Sequence, residues 1–205
     1  MAVAAAIGHG PALDADGRKG WVQPGDDRRA RRWSYTPATR YCPVVSVHVE
    51  RREIGPGQDA YVDAAWELKE AIRREDGVLR QRRSFFESAY RRSTGYLYLD
   101  RSEAERLIGF AAVRRDGYIL FLAVAEDYRE QGFGKRLVAN VAEAHSTVTC
   151  HARTTNNAAL RFYKRLGFEV KRRIDGYYED GGDAYYLTLG EEGGMRETLA
   201  RLLGR

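Results

Sequence analysis

Residues 120–134 constrain this chain more than any other stretch. Leu120-Phe121-Leu122-Ala123-Val124 is a continuous apolar run, Glu126-Asp127-Tyr128 breaks it, and Arg129-Glu130-Gln131-Gly132-Phe133-Gly134 leads into Leu137, Val138 and Val141 at helical spacing. A strand, a glycine turn and a helix in that order place the free N–H groups of a helix start, with the dipole behind them, at the end of a buried strand. Such a terminus holds a phosphate. Gly132 and Gly134 carry no Cβ, so the backbone from Gln131 to Lys135 can approach a pyrophosphate closely. Glycines at this spacing also shape a tight turn without any ligand, and an isolated G-x-G does not separate the two readings. Other nucleotide sites are excluded. The spacing is not G-x-G-x-x-G, no G-K-[ST] follows, and the strand comes from a hairpin rather than from a βαβ unit.

The hairpin is marked by Asp116-Gly117 between the apolar stretches 107–113 and 118–124. Tyr96 to Leu99 is another strand, and Val45, Val47 and Val49 alternate with Ser46, His48 and Glu50 at the period of a half-buried strand. Between them, Asp59 can cap a helix whose Val62, Ala65, Trp66, Lys69 and Ile72 share a stripe, and after Gly77 a second helix carries Leu79, Phe86, Ala89 and Tyr90. Downstream of the glycine turn, a helix reaches about His145 and a short strand contains Val148 and Cys150. A helix over 156–166 follows, with Thr155 as its cap and Gly167 as its stop. Strands over 168–174 and 184–189 flank the turn Glu179-Asp180-Gly181-Gly182, and Met195, Leu199, Leu202 and Leu203 predict a closing amphipathic helix. The predicted fold class is mixed α/β: a mostly antiparallel twisted sheet of six to seven strands with helices on both faces. Residues 1–42, polar and arginine-rich but holding Trp21, Trp33 and Tyr35, read as a flexible extension, and 43–205 as one domain.

Composition narrows the partners. Against 29 acidic residues stand 34 basic ones, a net charge of +5, but the arginines are spread through every segment rather than clustered as a nucleic-acid footprint requires. Cys42 and Cys150 are far apart, with no spacing for a disulfide framework or a zinc site. No apolar run has the length of a membrane span, and the expected setting is a reducing cytoplasm.

The segment from Leu122-Ala123-Val124 through Arg129-Glu130-Gln131-Gly132-Phe133-Gly134 has a companion further on. This is Asn156-Asn157-Ala158-Ala159-Leu160-Arg161-Phe162-Tyr163-Lys164-Arg165-Leu166-Gly167-Phe168. Together they resemble the two hallmark segments of the GNAT acetyltransferase superfamily, and the element order from Val44 to about Leu189 fits that fold. The resemblance implies acetyl-CoA as co-substrate, no metal, and direct transfer of the acetyl group to a primary amine. It further implies that backbone groups of Leu122 and Val124 pair with the pantetheine arm, the Val124 N–H polarising the thioester carbonyl. Arg129, Gln131, Gly132, Phe133, Gly134 and Lys135 would hold the pyrophosphate, Asn156 would orient the cofactor, and Tyr163 would supply a proton to the departing thiolate. Without the motif, Tyr163 is a tyrosine on the core face of a helix and Asn156 the first polar residue of a capped one.

A narrower resemblance lies in Gly176-Tyr177-Tyr178-Glu179-Asp180-Gly181-Gly182-Asp183-Ala184-Tyr185-Tyr186-Leu187. It is similar to the paired-tyrosine, acidic-turn segment of protein N-terminal α-amine acetyltransferases, including the bacterial RimI type, whose tyrosines line the peptide groove. Tyr177 and Tyr178 are then substrate-binding, Tyr177 foremost, although aromatic cross-strand pairs in a hairpin explain tyrosines here equally well. Tyr118 and His151 occupy the positions at which eukaryotic members acting on Met-starting termini carry a Tyr and a His that deprotonate the amine through water. A lone strand histidine is otherwise a hydrogen-bonded core residue. A peptide α-amine has a pKa of about 8 and lysine about 10.4, so a histidine base near neutrality suits the α-amine, and lysine costs roughly 3 kcal/mol more. The implied acceptor is a protein N-terminus, with a side-chain lysine as the open alternative; association with the ribosome is a further expected partner. Arg74-Glu75-Asp76-Gly77-Val78 departs from the aromatic-proline loop of many such enzymes, which leaves the preferred N-terminus open. Two rivals remain: a GNAT enzyme for a small-molecule amine, favoured by Glu179, Asp180 and Asp183, and a non-catalytic CoA-binding module with an RNA-docking arm.

Overall fold

A computed structural model describes residues 48–102 and 104–190. Val45, Val47, the predicted 1–42 extension and the predicted closing helix lie outside them. The chain runs β1 (Val49–Ile54), α1 (Val62–Asp76), α2 (Arg83–Arg91), β2 (Thr94–Asp100), β3 (Arg106–Val113), β4 (Ile119–Val124), a 3-10 turn (Glu126–Tyr128), α3 (Phe133–Ala144), β5 (Val148–Arg153), α4 (Asn157–Leu166), β6 (Glu169–Ile174) and β7 (Ala184–Leu189). The mixed α/β class is as expected. Local details differ where tertiary partners override local signals. Asp59 does not cap α1, because its carboxylate is taken by Arg91, and the N-cap is Tyr61 in a left-handed conformation (φ 62°). Leu79 is outside α2, in the connecting loop, at φ 57°. The cap of α4 is Asn156 rather than Thr155: its Oδ1 accepts from the Ala159 N–H at 3.0 Å.

The seven strands form two sheets, an antiparallel four-stranded one ordered β1-β2-β3-β4 and a three-stranded one ordered β5-β7-β6. β4 and β5 are parallel and meet at one bridge, Tyr118 with Thr149, where the Thr149 N–H donates to the Gly117 carbonyl at 3.2 Å. Gly117 is required there. Its φ is 78°, and a Cβ would stand 2.3 Å from the Thr147 carbonyl oxygen. Beyond the bridge β4 turns away, helped by a bulge in which Ala112 faces Phe121 and Val113 faces Ile119, leaving Leu120 as the extra residue. Tyr118 thus stands where the two sheets meet, and past it their facing edges are unpaired among the described residues.

Helices cover both faces of the larger sheet. Tyr98 packs on Phe133 of α3 with ring centroids 5.5 Å apart, whereas on the opposite face Phe110, register partner of Leu97, meets Phe86 of α2 at 6.0 Å. Phe86 also packs on Phe121 at 4.9 Å and on Trp66 of α1 at 5.5 Å. Lys69, on the apolar stripe of α1, is fully buried. Its Nζ donates to the Gln81 carbonyl at 2.5 Å, pairs with Glu70 at 2.8 Å and lies 4.3 Å from the Trp66 ring centre.

Candidate active site

At the end of β4 the Ala125 N–H donates to the Ile108 carbonyl at 2.8 Å. By the alternation of an antiparallel ladder, Ala123 also turns its backbone groups toward β3, and Leu122 and Val124 turn theirs to the opposite edge. Among the described residues no strand pairs with that edge past the Tyr118 bridge. Gly109 lets β3 hold it in place, since a Cβ there would stand 2.7 Å from the Ala123 carbonyl oxygen and 3.2 Å from Val124 Cα.

The glycine turn follows. Gly132 caps α3 at φ 85°, with no side chain satisfying the helix N–H groups and no acidic residue in the first turn. Lys135 and Arg136, the charged residues nearest this end, have the wrong sign for the helix dipole. An anion would offset both. The two glycines are needed for different reasons: Gly132 for its positive φ, its absent Cβ meeting nothing within 4 Å, and Gly134 because a Cβ would lie 3.1 Å from Phe162 Cε2 of α4. The backbone N–H groups of Phe133, Gly134 and Lys135, in the first turn, have no partner within the helix, while the Phe133 ring is buried against Tyr98 and Tyr128. Two expected cofactor residues are committed elsewhere through their side chains. The Gln131 amide donates to the Asp127 carbonyl at 2.8 Å, which folds the turn on itself. Arg129 is turned to the end of α1, with Nη2 2.8 Å from Asp76 and 3.5 Å from Glu75, and its own N–H donates to the Glu126 carbonyl. Asn156 spends Oδ1 on its cap but keeps a buried Nδ2 with no partner.

Where the two sheets meet, Tyr118 Oη lies 2.7 Å from His151 Nδ1, and Tyr177 Oη is 3.3 Å from the same nitrogen and 3.4 Å from Tyr118 Oη. The Tyr177 ring stacks on the imidazole, centroids 4.3 Å apart and 15° from parallel. His151 is 8% exposed, and burial, reinforced by Arg172 and Arg114, pushes its pKa down to about 4. The expectation of a histidine titrating near neutrality is corrected by this burial. A neutral ring with Nδ1 as acceptor lets Tyr118 donate to His151 and Tyr177 donate to Tyr118, and leaves Nε2 buried without a partner. Burial raises the Tyr118 phenol well above its usual range. Tyr163, on α4, is fully buried. Its hydroxyl has beside it the Cys150 thiol, a weak partner that leaves it without a well-formed hydrogen bond, and burial raises its pKa too.

A cavity of about 460 Å³ opens between the α1–α2 loop and the β6–β7 connection, lined by Val78, Leu79, Phe85 and Tyr178 and rimmed by Arg80, Arg82, Arg153 and Asp180. The expected order of the tyrosines is reversed. Tyr178 lines the cavity, with the Arg153 guanidinium 3.9 Å from its ring centre, whereas Tyr177 covers His151. Neither belongs to a strand, so cross-strand pairing does not explain them. Two of the three acidic residues nearby are paired with arginine, Asp180 with Arg153 at 2.9 Å and Arg80 at 3.2 Å and Asp183 with Arg173 at 2.5 Å, whereas Glu179 lines the cavity.

Residues 91–170 match the model of the acetyltransferase (GNAT) domain. That stretch is similar to a GNAT acetyltransferase domain. Over 80 residues it is 39% identical to N-alpha-acetyltransferase 30 of Xenopus laevis, covering 37% of this chain and 29% of that protein. Over 78 residues it is 38% identical to N-alpha-acetyltransferase MAK3 of Arabidopsis thaliana, covering 36% of this chain and 41% of the relative. The match therefore spans less than half of either relative. The crystal structure of Arabidopsis thaliana NAA60 in complex with acetyl-CoA superposes on this chain with a TM-score of 0.54 at 26% identity, covering 70% of this chain and 99% of that one. The ribosomal-protein-S18-alanine N-acetyltransferase of Escherichia coli shares the fold, with a TM-score of 0.55 at 21% identity. Among the described residues no helix is long and apolar enough to cross a membrane. Gly109, Phe162, Arg153 and the pairing of Arg129 with Asp76 escape sequence reasoning, because each matters through a contact distant along the chain. Gly109 alone left a local trace, as a glycine inside an apolar strand.

Proposed function

We propose that this protein transfers the acetyl group of acetyl-CoA to the α-amine of a protein N-terminus. The observation that carries the reading is the combination of the open edge of β4, the uncapped start of α3 and the Tyr118–His151 pair where the two sheets meet. The residues present fit the co-substrate. An unpaired edge suits a pantetheine arm, an uncapped helix start with Lys135 and Arg136 suits a pyrophosphate, and Asn156 Nδ2 and Tyr163 Oη, neither with a well-formed hydrogen bond, are donors awaiting acceptors. When bound, acetyl-CoA supplies the activated acyl carbon and a thiolate leaving group.

In this reading the Val124 N–H polarises the thioester carbonyl, and Leu122 pairs with the arm. Gln131, Gly132, Phe133, Gly134 and Lys135 contribute backbone groups to the phosphates. Arg129 holds the turn rather than the ligand. Tyr118 accepts a hydrogen bond from the neutral acceptor amine. Once the N–C bond forms, the nitrogen becomes far more acidic, and its proton passes through Tyr118 to His151 Nδ1, for which a pKa of about 4 is basic enough. Tyr163 donates a proton toward the departing sulfur. Tyr178 and the α1–α2 loop receive the first residues of the acceptor, with Tyr177 screening the relay. An α-amine is favoured over lysine because a buried neutral histidine gives little help to an ammonium of pKa about 10.4. The relatives named as N-alpha-acetyltransferases support the same acceptor. The arginine pairing of Asp180 and Asp183 disfavours a cationic small-molecule acceptor.

Mass spectrometry after incubation with acetyl-CoA and peptides bearing both free N-termini and lysines tests the proposal. Acetylation at the N-terminus is expected; lysine-only product would replace the acceptor, and no product on either amine would end the reading. Cytoplasmic location and association with ribosomes complete the proposal, and cosedimentation with ribosomes in cell extracts checks the latter.

A further inference from the structure

The acceptor cavity and the cofactor turn belong to elements far apart in sequence, yet one buried ion pair joins them. Arg129 opens the glycine turn, and its side chain, 7% exposed, reaches Asp76, 18% exposed, at 2.8 Å. Asp76 is the last residue of α1. The next residue, Gly77, takes φ 68° and starts the loop whose Val78, Leu79, Arg80, Gln81 and Arg82 line the cavity. That loop is held in a costly conformation. Leu79, a non-glycine residue that is 3% exposed, sits at φ 57°, a left-handed backbone that persists only where the surroundings impose it. At its far end the loop is tied down by the buried Lys69, whose Nζ binds the Gln81 carbonyl. One end is thus anchored within α1 itself, and the other to the turn that faces the cofactor.

From this we infer that Arg129 is a positioning residue for the acceptor: it couples occupancy of the cofactor turn to the shape of the 77–82 loop, so that CoA binding prepares the acceptor cavity. The inference rests on the reading of this region as an acetyltransferase site and goes beyond it, since neither cofactor binding nor the chemistry requires the two sites to communicate. A phosphate on the start of α3 restrains residues 130–135, and that restraint reaches Asp76 through the Arg129 guanidinium. Reciprocal coupling then requires that loop and latch move together, so that each ligand favours the same arrangement of both.

Hydrogen–deuterium exchange reads the coupling without any turnover. Adding CoA to the wild-type protein should slow exchange across 77–82 by about tenfold, and in Asp76→Asn by less than about twofold. In steady state with an N-terminal peptide, Asp76→Asn should raise the peptide KM at saturating acetyl-CoA by about tenfold, while the acetyl-CoA KM at limiting peptide stays within about twofold; Asp76→Glu should restore the wild-type values. A merely structural role would lower the active fraction, and so kcat, with both KM values unchanged. Failure of CoA to protect 77–82 in the wild type overturns the inference, as does equal protection in Asp76→Asn. Absence of peptide acetylation by the wild type would instead count against the proposed function, and the exchange experiment would still decide the coupling.

Discussion

The depressed pKa of His151 makes the pH dependence of acetyl transfer the most discriminating measurement. Burial holds the imidazole at about 4, so it is neutral throughout the physiological range and contributes no inflexion there. The group that titrates is then the acceptor itself. With an α-amine pKa of about 8, roughly a tenth of the acceptor is neutral near pH 7, a cost of about 1.4 kcal/mol, and kcat/KM should climb about tenfold per pH unit until it levels off near 8. A lysine acceptor, with a pKa of about 10.4, would carry roughly 3 kcal/mol more at neutral pH, a rate lower by about two hundredfold. The assay follows thiol release at limiting peptide concentration across the neutral range, with two peptides whose α-amines differ in pKa. The inflexion should move with the peptide. One that stays near 6.5 for both would mean that His151 itself charges as the base, and the reasoning from its burial would be refuted.

Replacing Tyr118 by Phe removes the 2.7 Å bond to Nδ1 and should lower kcat/KM by about a hundredfold without moving the inflexion; an unchanged rate would remove Tyr118 from the relay. Tyr163→Phe deletes a buried hydroxyl without a well-formed hydrogen bond, so it should stabilise the free protein by on the order of 1 kcal/mol in urea unfolding while slowing turnover. Loss of stability would mean that the hydroxyl is satisfied after all. Gly132→Ala meets no atom within 4 Å but must adopt φ 85°, and about 1–2 kcal/mol of stability should be lost through backbone conformation alone. Acid should destabilise the fold through His151: because its folded pKa lies below the unfolded value of about 6.5, the unfolded chain takes up the proton first, and roughly 2–3 kcal/mol disappears as pH falls from about 6.5 to about 4. His151→Phe should flatten that part of the curve, and an unaltered acid limb would assign the loss to other groups.

Most element positions and the glycine turn were legible along the chain, because they rest on short-range physics. The run 120–124, the left-handed glycine stop at Gly167 and the helical spacing after Gly132 each depend on residues within a turn or two of one another. Where a distant partner competed, local reasoning failed. Asp59 read as a cap until Arg91 took its carboxylate, and Lys69 sat on the apolar stripe of α1 with no local hint of the Gln81 carbonyl it binds. Tyr118 and His151 were found by their places in a resemblance, and nothing local foretold how far burial would lower the histidine.

What the sequence by itself determined is the order of strands and helices and the backbone geometry of the glycine turn, both properties of neighbouring residues. Only the tertiary structure decided that the Arg129 side chain pairs with the end of α1, that Tyr178 and not Tyr177 lines the cavity, and that burial lowers the pKa of His151. Charge pairing and desolvation are set by which groups fold against one another, and the contacts of Arg129 with Asp76 and of Tyr177 with His151 join residues 53 and 26 positions apart.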